Sequence, residues 1–310
     1  MIGDKNIKIS ICIPVYYGSK TIKNLVVEIK NTLKEYQLEV ILVNDGSKDD
    51  TKEVCVELFN KYKFIKFINL RKNFGEHNAV LCGLNYVTGD YIVIVDDDFQ
   101  NPPSEIIKLI EKASDSGCDV VYSRYDNKKH HWFRNFGSWF TDSVATWLLN
   151  KPKGLYLSSF KLIKKDIVEE IIKYKGPFPY VDGLVLRVTD NIEVQTVEHF
   201  KRKEGESNYT LGKLISLWLN MFVNFSIKPL RVATVTGVLI SLFSFVFGMY
   251  FIIEKMLNPG VSMGWTSLIV SILFLSGIQL IFLGIIGEYL GKQYLDQNGT
   301  PGSVVEREYL

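Results

Sequence analysis

Three consecutive carboxylates, Asp96-Asp97-Asp98, directly follow the apolar run Tyr91–Val95. Two unit charges about 4 Å apart interact by about 4 kcal/mol at a surface-like dielectric. A strand that ends in such a cluster therefore calls for a cation, and hard oxygen donors suit Mg²⁺ or Mn²⁺. Mg²⁺ commonly takes one or two carboxylates and completes its shell from phosphates and water. In open α/β sheets, ligands bind outside the carboxyl ends of the strands, where this cluster falls. The residues thus point to a metal–diphosphate site. A solvated acidic turn is the plain alternative. Alternating side-chain direction would send Asp96 and Asp98 to one side and Asp97 to the other.

The elements around the cluster follow from periodicity. Ile7, Ile9, Ile11, Ile13 and Val15 alternate as a strand. Ile22, Leu25, Val26, Ile29, Leu33 and Tyr36 repeat as a helix. Val40–Val43, Phe64–Leu70, Tyr91–Val95 and Val120–Tyr122 read as further strands. Segments ending near Lys61, at Glu76–Val87 and at about Ser104–Ser116 read as helices. Ser47 with Asp50 resembles a capping box, and Asn101 before two prolines suits a helix start. Repeated β-α-β order implies an α/β domain built on a mostly parallel, doubly wound sheet.

The last third differs. Val232–Ile253 is 22 residues without a charge, and a second uncharged stretch runs from Trp265 to Gly287. The first spans about 33 Å as a helix, against about 30 Å of bilayer hydrocarbon. The alternative, two buried helices of a soluble core, needs a larger core than 310 residues supply. Lys228 and Arg231 before the first span and Lys292 after the second place both ends in the cytoplasm. Leu211, Leu214, Ile215, Trp218, Leu219, Phe222 and Phe225 recur at helical spacing, which suits an amphipathic helix on the membrane surface. A core helix is the alternative there. The polar tail after Tyr294 is either disordered or an edge strand for a neighbour.

The formal net charge of +2 argues for no nucleic-acid partner. Cys12, Cys55, Cys82 and Cys118 form no CxxC pair and read as reduced core thiols. The N-terminus lacks an apolar h-region, so no cleavable signal is expected.

IPVYYGSKTI, VNDGSKDDT, LRKNFGEHNAVLCGL, GDYIVIVDDDFQNPP and KRKEGESNYTLGKL, followed by two spans, resemble the family 2 glycosyltransferases. The nearest group makes polyprenyl-phosphate sugars: dolichol-phosphate mannose synthases, bacterial polyprenyl-phosphate glucosyltransferases and the aminoarabinose transferases of lipid A modification. The resemblance implies a GT-A fold (Rossmann-like, mostly parallel sheet) with a C-terminal two-helix transmembrane hairpin. Its boundaries here are 1–205 for the catalytic domain, 206–228 for the juxtamembrane helix, 229–292 for the spans and 293–310 for a cytoplasmic tail. It also implies Mg²⁺ or Mn²⁺, a nucleotide-sugar donor (a UDP-sugar), a polyprenyl (undecaprenyl) phosphate acceptor, attachment to the bacterial inner membrane of the cell envelope and a homotetramer.

By the same resemblance, Pro14 and Tyr16 close the first strand against the base, and Asp45 contacts the base or ribose. Asp45 in a simple Asp-Gly turn is the plain reading. Arg71, Gly75, Ala79 and Gly83 pass beside the nucleoside, where small residues permit close approach. Asp96, Asp98 and Gln100 match the D-x-D element and its following glutamine; Asp98 is the first choice for metal ligation. Arg124, Lys161 and Ser207 are candidates for the acceptor phosphate, and Arg202, in the R-x-x-G-x-S element, for stabilising the departing diphosphate. Lys161 replaces an arginine and loses a bidentate fork. His77 is expected to be structural.

A phosphate monoester has a second pKa of about 6 and is largely dianionic at neutral pH, so it needs no strong general base. This bears on a departure: Gly154–Phe160 lacks the acid that related enzymes carry near this point. Either a base is dispensable or Asp182 supplies it. Rival expectations are a transferase using a hydroxyl acceptor and a non-catalytic nucleotide-sugar-binding subunit. The Q-x-x-R-W element of processive synthases is missing.

Overall fold

The computed structural model describes residues 7–125, 143, 146–149, 151–152, 154–200, 226, 228–257 and 264–310. Residues 1–210 together with 299–310 form one compact unit, and residues 211–298 form a second.

In the first unit, β1 (Lys8–Val15), β2 (Gln37–Asn44), β3 (Ile65–Leu70), β4 (Tyr91–Ile94), β5 (Val120–Tyr125), β6 (Lys161–Lys164), β7 (Ile192–Val197) and β8 (Val305–Tyr309) make one sheet in the order β7-β5-β6-β4-β1-β2-β3-β8. The helices are α1 (Ile22–Thr32), α2 (Thr51–Lys61), α3 (Glu76–Leu84), α4 (Ser104–Ser116), α5 (Lys165–Ile171) and α6 (Val181–Val188). β1, β2, β3 and β4 run parallel, as the β-α-β order requires, and β5 runs parallel to β7. β6 pairs antiparallel with both β4 and β5, and β8 antiparallel with β3.

The central strands are apolar throughout because both sheet faces are covered. Val40 and Leu42 of β2 join the core that includes Ile22, Leu25 and Ile29 of α1 and Ile106, Leu109 and Ile110 of α4. Ile41 and Val43 face the other way, toward Ala79 and Cys82 of α3. Gly83 fixes how close α3 can lie: a Cβ there would sit 2.6 Å from Cys12 Sγ and 2.8 Å from Val43 Cγ2. All four cysteines are free and buried.

Two helix starts differ from the sequence expectation. Ser47 does not cap α2; its Oγ accepts the Tyr17 amide at 3.0 Å, while Asp49 Oδ1 accepts the amide and hydroxyl of Thr51 at 3.4 and 2.6 Å. Asn101 does not cap α4; its Oδ1 accepts Tyr125 Oη–H at 2.9 Å. In each case a longer-range partner satisfies the polar group better than the local one. The tail is ordered as an edge strand: β8 extends the chain's own sheet, with Tyr309 stacked on Phe67 at 5.3 Å.

In the second unit, α7 (Lys228–Leu257) and α8 (Trp265–Gln297) are longer than the uncharged stretches that announce them. Their apolar segments have mean hydropathies of 2.1 and 2.6, and none of that surface is buried. That exposure is unlike the buried helices of a soluble core; both are long and apolar enough to cross a membrane. The juxtamembrane segment, apart from Ser226 and Lys228, lies outside the described residues.

Candidate active site

The site forms where β1, β2 and β4 end. β4 stops at Ile94, and the chain then turns through Asp96–Gln100, with Phe99 at φ 60°. Because β4 has ended, strand alternation does not govern the three carboxylates; each takes a different partner in the turn. Asp96 Oδ2 accepts the Ser159 hydroxyl at 2.6 Å. Asp97 turns to the β1–α1 loop, where its Oδ2 accepts the Tyr16 amide at 3.3 Å. A Cβ on Gly18 would lie 2.3 Å from that same oxygen, so the loop closes over Asp97 only because residue 18 is glycine. Asp98 Oδ1 accepts the Gln100 amide at 3.0 Å. Burial, then the charges of Asp96 and Asp98, push the Asp97 carboxyl up to about 7. The repulsion inferred from the sequence is thus expressed in the folded chain.

Pro14 lies within β1, and Tyr16 and Tyr17 stand exposed beyond it, rings 4.6 Å apart and edge-on. Tyr17 holds φ 57°, a strained conformation for a non-glycine residue. Asp45 is buried at the end of β2, and both of its oxygens are engaged. They accept the amides of Phe74 and Gly75 at 2.7 and 2.9 Å. Burial raises its carboxyl pKa in spite of those two bonds. Asp45 therefore clamps the β3–α3 loop, which carries exposed Arg71 and Gly75 at φ 93°. Gly46 is required beneath: a Cβ would lie 2.3 Å from the Lys72 carbonyl carbon.

A second group of residues lies behind the carboxylates. Lys161, 3% exposed, gives its ammonium to Asp182 Oδ1, which also accepts Tyr122 Oη–H at 2.9 Å. His77 packs edge-on against Tyr180 at 5.0 Å, and burial holds its pKa at about 4, which fits a structural role. Arg124 is exposed near the end of β5. Arg202 and Ser207 lie outside the described residues.

Beside Asp96 and Gln100 opens a cavity of about 870 Å³, also lined by Asn101, Tyr125, Tyr156, Ser158, Ser159 and His199. Tyr125 is its hub. Its hydroxyl meets Asn101 Oδ1 and Ser158 Oγ, both at 2.9 Å, and its ring lies 4.2 Å from His199 and 5.9 Å from Tyr156. Sequence reasoning did not single out Tyr125, Tyr156, Ser159 or His199. The only cue was the acid-free segment Gly154–Phe160, which proves to form part of the wall.

Among the described residues, no three His, Cys, Asp or Glu side chains are gathered as an ion cage. Asp96, Asp98 and Gln100 fit a hard divalent ion that takes the rest of its shell from phosphate and water.

Residues 10–172 match the Glycosyl transferase family 2 profile. The chain belongs to that family. It is a glycosyltransferase with a GT-A-type α/β fold. It is 30% identical to a bactoprenol glucosyl transferase of Shigella phage SfX, over 96% of this chain and 99% of the relative. It is 29% identical to the undecaprenyl-phosphate 4-deoxy-4-formamido-L-arabinose transferase of Proteus mirabilis, over 97% and 93%. Glucosyl-3-phosphoglycerate synthase of Mycobacterium tuberculosis, crystallised with Mn²⁺, UDP-glucose and phosphoglyceric acid, shares the fold: TM-score 0.52, 16% identity, 69% of this chain and 80% of the other.

Proposed function

We propose that this glycosyltransferase moves a sugar from a nucleotide-sugar donor, a UDP-sugar, to polyprenyl (undecaprenyl) phosphate at the cytoplasmic leaflet. The observation that carries the reading is the divergent carboxylate turn opening on a polar, aromatic-walled cavity of about 870 Å³. Two helices long and apolar enough to span a membrane suit a lipid acceptor, and relatives named for bactoprenol and undecaprenyl phosphate match 96% and 97% of the chain. Their flanking Lys228, Arg231 and Lys292 favour a cytoplasmic catalytic unit. The homotetramer implied by the resemblance belongs to the same reading.

In this reading the nucleoside lies along Tyr16, Asp45 and the Arg71–Gly75 loop. Asp96, Asp98 and Gln100 hold Mg²⁺ or Mn²⁺, which when bound supplies charge neutralisation for the leaving diphosphate. Ser159 keeps the Asp96 carboxylate turned toward the cavity, and the Gln100 amide holds Asp98 Oδ1. The sugar occupies the cavity, where the rings of Tyr125, Tyr156 and His199 give it apolar faces and Asn101, Ser158 and Ser159 give it hydrogen-bonding groups. The lipid phosphate oxygen forms a bond to the anomeric carbon as the bond to the diphosphate breaks, inverting that centre. No proton must be removed from a dianionic phosphate. Asp182 and buried Lys161, paired with one another, act here as a support and not as a base and a phosphate ligand; Arg124, Arg202 and Ser207 are the candidate phosphate-binding groups.

The test is incubation of the purified full-length enzyme with undecaprenyl phosphate and a panel of nucleotide sugars, with and without EDTA. A lipid-phosphate-sugar product that EDTA abolishes is expected. Glycosylation of hydroxyl acceptors alone would replace this reading with the rival transferase, and binding without turnover would replace it with the non-catalytic one.

A further inference from the structure

We infer that Glu306, in the C-terminal strand β8, is a positioning residue for the nucleotide site. The inference rests on the donor-site reading above. β8 follows α8 by only a short link, yet it folds with residues 1–210. It brings a carboxylate to the sheet edge where a line of amides begins. Asn69 at the end of β3 donates its Nδ2 to Glu306 Oε2. Its Oδ1 accepts Asn44 Nδ2 at 2.7 Å, across to β2. Asn44 Oδ1 accepts the Ser47 amide at 3.2 Å, and Ser47 Oγ accepts the Tyr17 amide at 3.0 Å.

The two side-chain amide orientations in this line are set from its outer end. A carboxylate can only accept, so Glu306 forces the Asn69 amide nitrogen outward and its oxygen inward. That orientation leaves Asn44 only its nitrogen to offer Asn69, so the Asn44 oxygen faces Ser47. The far end of the line is the backbone of Tyr17, strained at φ 57°, beside Tyr16. Asn44 and Asn69 are both buried, 1% and 3% exposed, so a reversed amide would be left without a matched partner. Lys52 Nζ, 3.2 Å from Glu306 Oε2, helps hold the carboxylate in place.

The tail reaches the second donor loop as well. The Arg71 amide donates to Val304 O at 2.9 Å. Asn78 Nδ2 donates to Phe74 O at 2.9 Å, and its Oδ1 packs against Gly302, where a Cβ would come within 2.7 Å. The loop that Asp45 clamps from beneath is therefore held by the tail from its other side.

The experiment uses the full-length enzyme and measures UDP binding in the presence of Mn²⁺ by calorimetry, together with donor KM and kcat. Glu306→Ala is expected to weaken UDP binding and raise donor KM about five-fold, the size of one ordinary hydrogen bond, with kcat unchanged. Glu306→Gln, whose carbonyl oxygen can accept from Asn69, is expected to restore binding. Glu308→Ala, which removes the bond to Tyr86 Oη, is expected to leave binding unchanged. Gly302→Leu, which pushes the tail off Asn78, is expected to exceed Glu306→Ala and to speed hydrogen exchange at the Arg71 amide. If Gly302→Leu fails to fold, Tyr309→Ala, which removes the stacking on Phe67, is judged by the same criteria. Unchanged UDP binding in Glu306→Ala, or an equal loss in Glu308→Ala, overturns the inference. Wild-type enzyme that binds no UDP at all refutes the donor-site reading instead. In that case an Arg71 amide that exchanges freely in the wild type overturns the tail's role separately.

Discussion

The two ends of the same strands treat carboxylates in opposite ways. At the amino ends, Glu39 is 5% exposed and fully provisioned. It accepts Ser10 Oγ at 2.6 Å, the Thr88 amide at 2.8 Å and Thr88 Oγ1 at 2.9 Å, and it pairs with Lys66 at 2.9 Å and Lys8 at 3.3 Å. Burial alone would raise its pKa, but the bonds from Ser10, Lys66 and Thr88 outweigh burial and pull it down to about 2. At the carboxyl ends, Asp97 is pushed the other way, to about 7, by burial and by its two acidic neighbours. One end uses a charge to close the fold. The other keeps charges crowded, at a cost in stability, where the proposed cation and diphosphate would sit.

That contrast can be broken by exchanging the outcomes. Asp98→Asn should lower kcat/KM about 10³-fold or more, as expected for losing a ligand to transition-state charge, and should leave the melting temperature equal or higher. A fall in stability with activity retained would place Asp98 on the structural side. Lys161→Met should destabilise by about 3–5 kcal/mol by stranding buried Asp182, and the double change with Asp182→Leu should recover much of that loss. Denaturant unfolding of both variants measures the coupling.

The pH dependence of Glu39 sharpens the same point. Its folded pKa lies below its unfolded value of 4.5, so its contribution is present above pH 4.5 and is lost as pH falls toward about 2. Discounted for partial screening, the loss is about 2 kcal/mol, and Glu39→Gln should remove that slope from a stability–pH profile while sparing activity at pH 7. Smallest of all, Ser159→Ala should weaken Mn²⁺ binding and turnover a few-fold by loosening Asp96, about the value of one hydrogen bond. Titration calorimetry with Mn²⁺ alone checks it independently of catalysis.

Much of the first half of the fold was legible because local period and burial agree there. Every strand from β1 to β5 is announced by its apolar run, and the acidic turn by the residue types themselves. What was not legible depends on pairings across long separations. Ser159 meets Asp96 because β6 inserts antiparallel beside β4, and no local spacing announces that insertion. Lys161 and Asp182 are 21 positions apart and read separately as a phosphate ligand and a base; together they neutralise one another in the core. Ser47 and Asn101 carry good capping chemistry, yet distant backbone and tyrosine partners claim them. Glu39 gave no signal, since a lone Glu within an apolar strand does not reveal the donors that neighbouring strands bring to it.

The antiparallel seat of β8 on β3 also sets an order of events during synthesis. β8 follows α7 and α8 in the chain, so the ribosome makes both long apolar helices before the segment that covers β3 exists. Through that interval β3 presents an open row of amide and carbonyl groups, the kind of edge on which nascent chains aggregate. A chain halted after the second helix would therefore carry two finished apolar helices and an unprotected sheet, and its fate would rest with chaperones and proteases.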